Sequence, residues 1–205
     1  MIARSASTKG GFTLLELMLA LALLGIVMYK GLFVVSNAVK SSSEITTDVI
    51  VEDQARKVLN QIAALVMSSD RDSLNPVAAA PLSSEDIGYR VNLGLQDGEI
   101  VRGDPELIGM EEDIQQVFWS KNPETPEEVR VVWSNLVAPY LEGEIPNGMD
   151  DNGNGLIDEK GLSFVIDRNA VTIRLTLDRV VEGRPVTKTV QTTVTCRNLD
   201  VPEVP

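Results

Sequence analysis

One apolar stretch near the start of the chain constrains its fold more than any other feature. Between Phe12 and Val35 the only charged residues are Glu16 and Lys30. As a helix these residues would extend ~36 Å at ~1.5 Å per residue, which is enough to cross a bilayer core of ~30 Å. The sequence therefore predicts a helix that spans a membrane once, followed by a domain on one side of it.

The charges that flank the stretch predict its orientation. Arg4 and Lys9 precede it, and no acidic residue does. Positive residues stay on the cytoplasmic side of a membrane helix, so the short N-terminal tail should lie inside and the rest of the chain across the membrane. A plain membrane anchor is the simplest interpretation of such a helix.

A secretory signal peptide is a second interpretation, because it also has a positive start, an apolar core and a small-residue cleavage site. Residues 20–22, with the sequence Ala-Leu-Ala, could serve as that site. Glu16 would then lie inside the apolar core, however, and the apolar run continues well beyond the site. A third interpretation takes the bond between Gly11 and Phe12 as the cleavage point.

Residues 11–16, with the sequence GFTLLE, resemble the processing site of type IV prepilins and of the pseudopilins of type II secretion systems. The resemblance implies that a membrane peptidase cuts after Gly11 and that the same enzyme methylates the new amine on Phe12. Glu16 would become the fifth residue of the mature chain, where this family keeps a glutamate. The resemblance covers about the first quarter of the chain.

The chemistry of Glu16 agrees with that resemblance. A carboxylate inside a membrane helix costs ~2.5–3.5 kcal/mol at the centre on insertion scales, so such a residue normally has a partner. The partner that the family implies is the N-terminal amine of a neighbouring subunit, here the amine of Phe12. Low dielectric would strengthen that pair, which would set the axial stagger of packed helices. The alternative is that Glu16 lies near the membrane edge and reaches headgroup water.

Composition excludes several classes of function. The chain has 205 residues and a formal net charge of −12, which does not suit nucleic-acid binding but suits cation binding and solubility. Histidine is absent, which removes histidine-based catalysis and histidine metal ligands. Cys196 is the only cysteine, so no intrachain disulfide can form, and no general base can be assigned to it. We therefore expect no enzyme activity.

The helix is expected to continue beyond the membrane as an amphipathic segment. Apolar residues recur at spacings of three to six, with charged residues between them. This stripe consists of Ile45, Val49, Ala55, Leu59, Ile62 and Val66. The predicted organisation is a leader at 1–11, a membrane-spanning half-helix at 12–35, an amphipathic half-helix at 36–69 and a β-rich head at 70–205.

Alternating apolar and polar residues predict the strands of the head. The predicted strands are 87–95, 117–119, 129–133, 162–167, 170–181 and 186–197, with turns at 97–98, 168–169 and 182–184. The polar segment 99–113 is expected to be irregular. In the strand at 170–181, alternate residues from Val171 to Leu177 should pack on the helix, and the other face should meet water.

These patterns predict an α+β fold, in which a long N-terminal helix packs against an antiparallel sheet. The resemblance to pilins implies the same architecture.

An acidic, glycine-rich loop at 147–159 is the second informative stretch. Asp150, Asn152 and Asn154 occupy alternate positions and Gly155 follows, as in the front of an EF-hand calcium loop. Alternate side chains in a tight turn bring their oxygens together, and the next carbonyl, that of Leu156, points inward.

The rest of the loop departs from the EF-hand pattern. Asp158 falls on the ninth position, but the twelfth position, normally a bidentate glutamate, is Gly161. Asp158 or Glu159 would have to close the site instead. We expect an isolated structural Ca²⁺ site, with Mg²⁺ less suited to it because Mg²⁺ demands stricter geometry. The alternative is a solvated turn, since asparagine and glycine are common in turns for their own reasons.

The leading hypothesis from the sequence is a structural subunit, processed by a prepilin peptidase and methyltransferase, held in the inner membrane with its head in the periplasm, and assembled with other pilin or pseudopilin subunits. The missing disulfide and the chain length look more like a minor than a major subunit. The alternative is a membrane-tethered, calcium-dependent adhesin or cargo-binding protein. That alternative requires exposed aromatic residues near the loop, and Trp119, Trp133 and Tyr140 are the candidates.

Overall fold

The computed structural model describes residues 13–181 and 183–196, without the side chains of residues 43–45. The chain divides into two compact units, residues 1–46 and residues 47–205. One helix, α1, extends from Leu14 to Ser68 and contributes residues to both units. The long N-terminal helix that the sequence predicted is therefore present.

The part of α1 in the second unit buries one stripe of side chains. This stripe consists of Val51, Ala55, Val58, Leu59, Ile62 and Val66. The prediction was wrong at Val49, which is 59% exposed, whereas Val51 and Val58 are buried. A spacing of six residues from Val49 to Ala55 does not return to the same helix face, but a spacing of four from Val51 does. The side chain of Ile45 lies outside the described residues.

Four strands form the first antiparallel sheet, in the order β1-β2-β3-β4. They are β1 (Asp86–Gln96), β2 (Glu99–Glu111), β3 (Gln116–Lys121) and β4 (Val129–Ser134). Strand β2 corrects the expectation that residues 99–113 are irregular. It pairs with β1 on one side and β3 on the other, so ladder hydrogen bonds and the burial of Ile108 outweigh its polar composition.

Three strands form the second antiparallel sheet, in the order β5-β6-β7. They are β5 (Leu162–Asp167), β6 (Ala170–Val181) and β7 (Arg184–Thr195). Residues Arg168 and Asn169 form the predicted turn between β5 and β6. In the turn predicted at 182–184, Glu182 lies outside the described residues. The fold is α+β as predicted, but the expected single sheet is in fact two.

Both sheets and the buried stripe of α1 contribute to one core. The alternate residues of β6 that were predicted to pack on the helix are all fully buried in this core. They are Val171, Ile173, Leu175 and Leu177. The other face of β6 does not simply meet water, because Thr176 is fully buried. Segment 137–161 contacts β6 here: the Ala138 N–H donates to the Thr176 carbonyl at the strand's edge at 2.9 Å, and Glu159 forms an ion pair with Arg174 at 3.4 Å. This segment includes the acidic loop.

Candidate functional site

The start of α1 is fixed by its own sequence. The Glu16 N–H donates to the hydroxyl oxygen of Thr13 at 3.3 Å, and the Leu17 N–H donates to the Thr13 carbonyl at 3.2 Å. Thr13 thus caps the free N–H groups of the first turn, as threonine commonly does at a helix N-terminus. The spacing of Thr13 and Glu16 is that of a capping box, a signal that our sequence analysis overlooked.

Glu16 lies in the first turn of α1 and is exposed within its unit. The positive end of the helix dipole favours an acidic side chain at this position. Gly11 and Phe12 lie outside the described residues, so cleavage between them and methylation of Phe12 stay predictions.

The helix surface that follows Glu16 is apolar and exposed. Between Leu14 and Val35 the large apolar side chains are each more than half exposed. By length and composition α1 can span a membrane, and it is the one such helix among the residues that the structure describes. Exposed apolar surface of this extent marks a membrane or protein contact, so this part of α1 is suited to anchor the chain in a membrane.

The acidic loop closes at a narrow neck. The Leu141 N–H donates to the Glu159 carbonyl at 2.9 Å across the neck. A Cβ atom on Gly161 would overlap the carbonyl oxygen of Ala138 and lie 2.8 Å from its carbonyl carbon. The twelfth position of the EF-hand pattern therefore has no room for a side chain, so the loop cannot be closed there by a glutamate.

Side-chain oxygens organise the turn at the tip of the loop. The Asp150 carboxylate accepts a hydrogen bond from the Gly155 N–H at 2.8 Å. Asn152 Oδ1 accepts from the Asn154 N–H at 3.0 Å, and Asn154 Oδ1 accepts from the Leu156 N–H at 2.9 Å. Each of these oxygens has a second lone pair, so the bonds that shape the turn leave acceptor capacity for a cation.

Asp158 and Glu159 are each engaged within the protein. The Asp158 carboxylate accepts from the Gly148 N–H at 2.9 Å and so ties the end of the loop to its beginning. Glu159 is fully buried, and its Oε2 accepts from the side-chain amide of Asn154 at 2.6 Å. Its Oε1 lies 3.4 Å from the Arg174 guanidinium, an ion pair without a hydrogen bond.

Glu144 lies beside the tip of the loop, and the sequence patterns did not identify it. Its side chain is 8% exposed, its Oε1 accepts from the Asn152 N–H at 3.2 Å, and its Oε2 has no hydrogen-bond partner. Burial raises the pKa of the Glu144 carboxyl; the Asn152 N–H opposes this, and the charges of Glu159, Asp150 and Asp151 raise the pKa further. No local pattern could have revealed it, because its role depends on a turn eight residues away.

The described ranges, 13–181 and 183–196, contain no group of three or more Asp, Glu or Cys side chains that could hold a metal ion alone. A cation bound here would also need amide and backbone carbonyl oxygens. Calcium accepts that mixture, whereas transition metals favour nitrogen and sulfur ligands.

The aromatic residues that the sequence offered for a binding surface mostly pack against other parts of the protein. Trp119 and Trp133 pack against the hydrophobic core, and the Trp119 indole N–H donates to Glu106 at 2.8 Å. The ring of Tyr140 is covered by the Lys160 ammonium, whose nitrogen lies 4.4 Å from the ring centroid. These contacts are typical of structural aromatic residues.

Cys196 has the surroundings of a structural thiol. It is buried just after β7, and the Ser69 hydroxyl donates to its sulfur at 3.8 Å. Burial raises the pKa of the Cys196 thiol, which the Ser69 hydroxyl and Arg71 partly offset. A raised pKa lowers the thiolate population and therefore the reactivity of the sulfur.

The family model of the prokaryotic N-terminal methylation motif matches residues 7–28. This match includes Gly11, Phe12, Glu16 and the first part of the exposed apolar helix. Searches of curated proteins and of solved structures each found no match. The motif and the apolar helix that begins within it mark the N-terminal part of the chain as type IV prepilin-like.

Proposed function

We propose that this chain is a structural subunit that is assembled, after removal of residues 1–11, into a type IV pilus or a type II secretion pseudopilus. One combination carries the proposal. The methylation motif at 7–28 includes the start of an exposed apolar helix that has Glu16 in its first turn and continues beyond the motif. A prepilin-like precursor implies processing by a prepilin peptidase and assembly with other pilins.

In the proposed fibre, Glu16 pairs with the Phe12 amine of a neighbouring subunit. Cleavage after Gly11 would create a positive amine four residues before Glu16, and both groups would lie at the start of the apolar helix. Helices packed side by side can bring the carboxylate of one subunit to the amine of the next. In surroundings of low dielectric, that attraction is stronger than in water, and loss of one partner leaves a costly unpaired charge.

Before assembly, the apolar part of α1 would hold the subunit in the inner membrane as a single-pass protein. The excess of positive charge before the helix favours a cytoplasmic leader and so supports a periplasmic location for the residues beyond the span. The acidic composition of the chain supports solubility of that exported part.

We also propose that the subunit is a minor component of its fibre. Many type IV pilins fix their C-terminal region with a disulfide, and this chain has only Cys196. Here the last strand, β7, is held by pairing with β6 along its whole length, from Val181 with Arg184 to Ala170 with Thr195. Strand β7 is thus held by hydrogen bonds and burial, without a disulfide.

Replacing Glu16 tests the proposed pairing. We expect Glu16→Ala to enter the membrane normally, because the change makes the span more apolar, but to reach sheared fibres at least about tenfold less, the effect of ~1.4 kcal/mol. The measurement is the amount of the subunit in membrane and fibre fractions from cells with the complete assembly machinery.

Asp53→Ala is the matched control, because Asp53 is an exposed acid on the same helix outside the apolar span. It should reach fibres at the wild-type level. If Glu16→Ala is incorporated as well as the control, the pairing of Glu16 with the amine is wrong.

A further inference from the structure

Two buried carboxylates lie at the acidic loop, Glu159 at its end and Glu144 just before its start, and in the part of the chain that the structure describes only Glu159 has a cation beside it. Glu159 is fully buried and forms an ion pair with Arg174 at 3.4 Å. Among the described residues no such pair involves Glu144, and its Oε2 has no hydrogen-bond partner. A buried carboxylate oxygen without a partner is costly, so Oε2 of Glu144 is a position where a bound cation would lower the free energy of the folded state.

Glu144 is held against the tip of the acidic loop, so a cation bound to its Oε2 would also contact that tip. A Cβ atom on the preceding Gly143 would lie 3.3 Å from the Cβ of Asn152, so this segment packs closely against the tip of the loop. The Asn152 N–H holds Glu144 Oε1 at 3.2 Å and thereby fixes the carboxylate beside the turn. Asp150 and Asp151 are near enough for their charges to act on Glu144.

We propose that Glu144 supplies the closing carboxylate of a calcium site in this loop, in place of the glutamate that an EF-hand carries at its twelfth position. The remaining ligands would be the side-chain oxygens of Asp150, Asn152 and Asn154 and the carbonyl of Leu156. Gly161 has no space for a side chain at the twelfth position, so the closing carboxylate must come from elsewhere. Glu144 precedes the loop in the chain, whereas the closing glutamate of an EF-hand is the last residue of its loop.

The chemistry of the ligand set favours Ca²⁺ over other cations. The candidate ligands are all oxygens, of mixed carboxylate, amide and carbonyl type, and the loop contains three glycines, Gly148, Gly153 and Gly155. Ca²⁺ accepts six to eight such oxygens in flexible geometry, whereas Mg²⁺ requires a near-ideal octahedron and retains its waters. Two formal charges, on Glu144 and Asp150, would balance one divalent ion.

Calorimetry of the detergent-solubilised full chain with CaCl₂ tests the site directly. We expect one Ca²⁺ per chain with a Kd of about 10⁻⁴–10⁻³ M, the range of extracellular calcium modules. Ca²⁺ should also raise the melting temperature above that measured in chelator, because a ligand that binds only the folded state stabilises it. Absence of both effects at millimolar Ca²⁺ would overturn the proposal.

The variants Glu144→Gln and Glu142→Gln distinguish loss of the closing carboxylate from loss of one negative charge near the site. Both remove one negative charge, but Glu142 is exposed and lies outside the proposed ligand set. We expect Glu144→Gln to weaken Ca²⁺ binding at least about tenfold and to lose the stabilisation by Ca²⁺, whereas Glu142→Gln should change the Kd less than about twofold. Without Ca²⁺, Glu144→Gln should melt no lower than wild type, because it removes an unpaired buried charge.

A gain-of-affinity variant keeps the test decisive if Glu144→Gln folds poorly. Asn152→Asp adds a carboxylate at the third position of the loop and should tighten Ca²⁺ binding several-fold, since affinity rises with ligand charge. Equal affinity of wild type and Glu144→Gln, or weaker binding by Asn152→Asp, would contradict the proposed ligand set. None of these results depends on whether the chain is assembled into a fibre.

Discussion

Gly161 shows how a single residue without a side chain shapes the acidic loop. Its backbone packs against Ala138 at the neck, and its carbonyl accepts a hydrogen bond from the Thr176 N–H at 2.7 Å. Any larger residue would have to displace backbone rather than the end of a flexible side chain. The hydrogen bond to Thr176 joins the neck of the loop to the edge of β6.

We predict that Gly161→Ala destabilises the second unit by about 1–3 kcal/mol, the usual cost of forcing extra volume into a packed site. Gly103→Ala is the matched control, because the nearest atom to its added Cβ lies 3.5 Å away. The control should change stability by less than about 0.5 kcal/mol. Thermal unfolding, followed by tryptophan fluorescence of the solubilised chain, measures both. Equal melting temperatures for the two variants would contradict the packing at the neck.

At the residue scale, the sequence could indicate ligand types but not their partners. The alternation of Asp150, Asn152 and Asn154 predicted a tight turn, and the structure has hydrogen bonds of that kind. Glu144 could not be identified, because its environment comes from residues that are near in space but separated along the chain. For the same reason, the sequence could not show that Gly161 packs against the backbone of Ala138.

At the scale of elements, α1 shows that helical spacing must be counted strictly. Its buried stripe follows intervals of three and four residues from Val51 to Val66, and the predicted stripe was displaced at its beginning because Val49 was included. Apolar character alone did not distinguish Val49 from Val51, whereas the repeat of 3.6 residues per turn does.

The pair Val51→Ala and Val49→Ala tests this assignment with one chemical change at two neighbouring positions. Val51→Ala should lower the free energy of unfolding by about 2 kcal/mol, because it removes buried methyl groups and leaves a cavity. Val49→Ala should change it by less than about 0.5 kcal/mol, as expected for an exposed helix position. Denaturant unfolding of the solubilised chain distinguishes them, and an equal loss in both variants would contradict the burial of Val51.

The strands show which elements sequence patterns predict well. Strands β1, β5 and β6 alternate apolar and polar residues, and their predicted ranges lie close to the observed ones. Strand β2 was missed because its residues are polar and include Pro105, while its stability comes from backbone pairing on both sides. The division into two sheets depends on contacts between distant segments, which no local pattern reports.

At the scale of the whole molecule, the chain combines two units that differ in how they treat apolar side chains: the first exposes them and the second buries them. Residues of α1 before the second unit expose an apolar surface, whereas the second unit buries its own core with two sheets. The methylation motif at 7–28 connects this organisation to prepilin-like proteins. The proposed fibre assembly depends on the chemistry at the start of the mature chain, where cleavage would create the amine that Glu16 needs.

Mass spectrometry of the mature N-terminus tests this account most directly. The chain should be purified from cells that contain a prepilin peptidase, and its N-terminal peptide should be sequenced. We predict a mature chain that begins at Phe12 and carries a methyl group on the Phe12 amine. A chain that keeps residues 1–11, or one that begins elsewhere, such as at Leu23, would contradict the proposed processing and the fibre assignment with it.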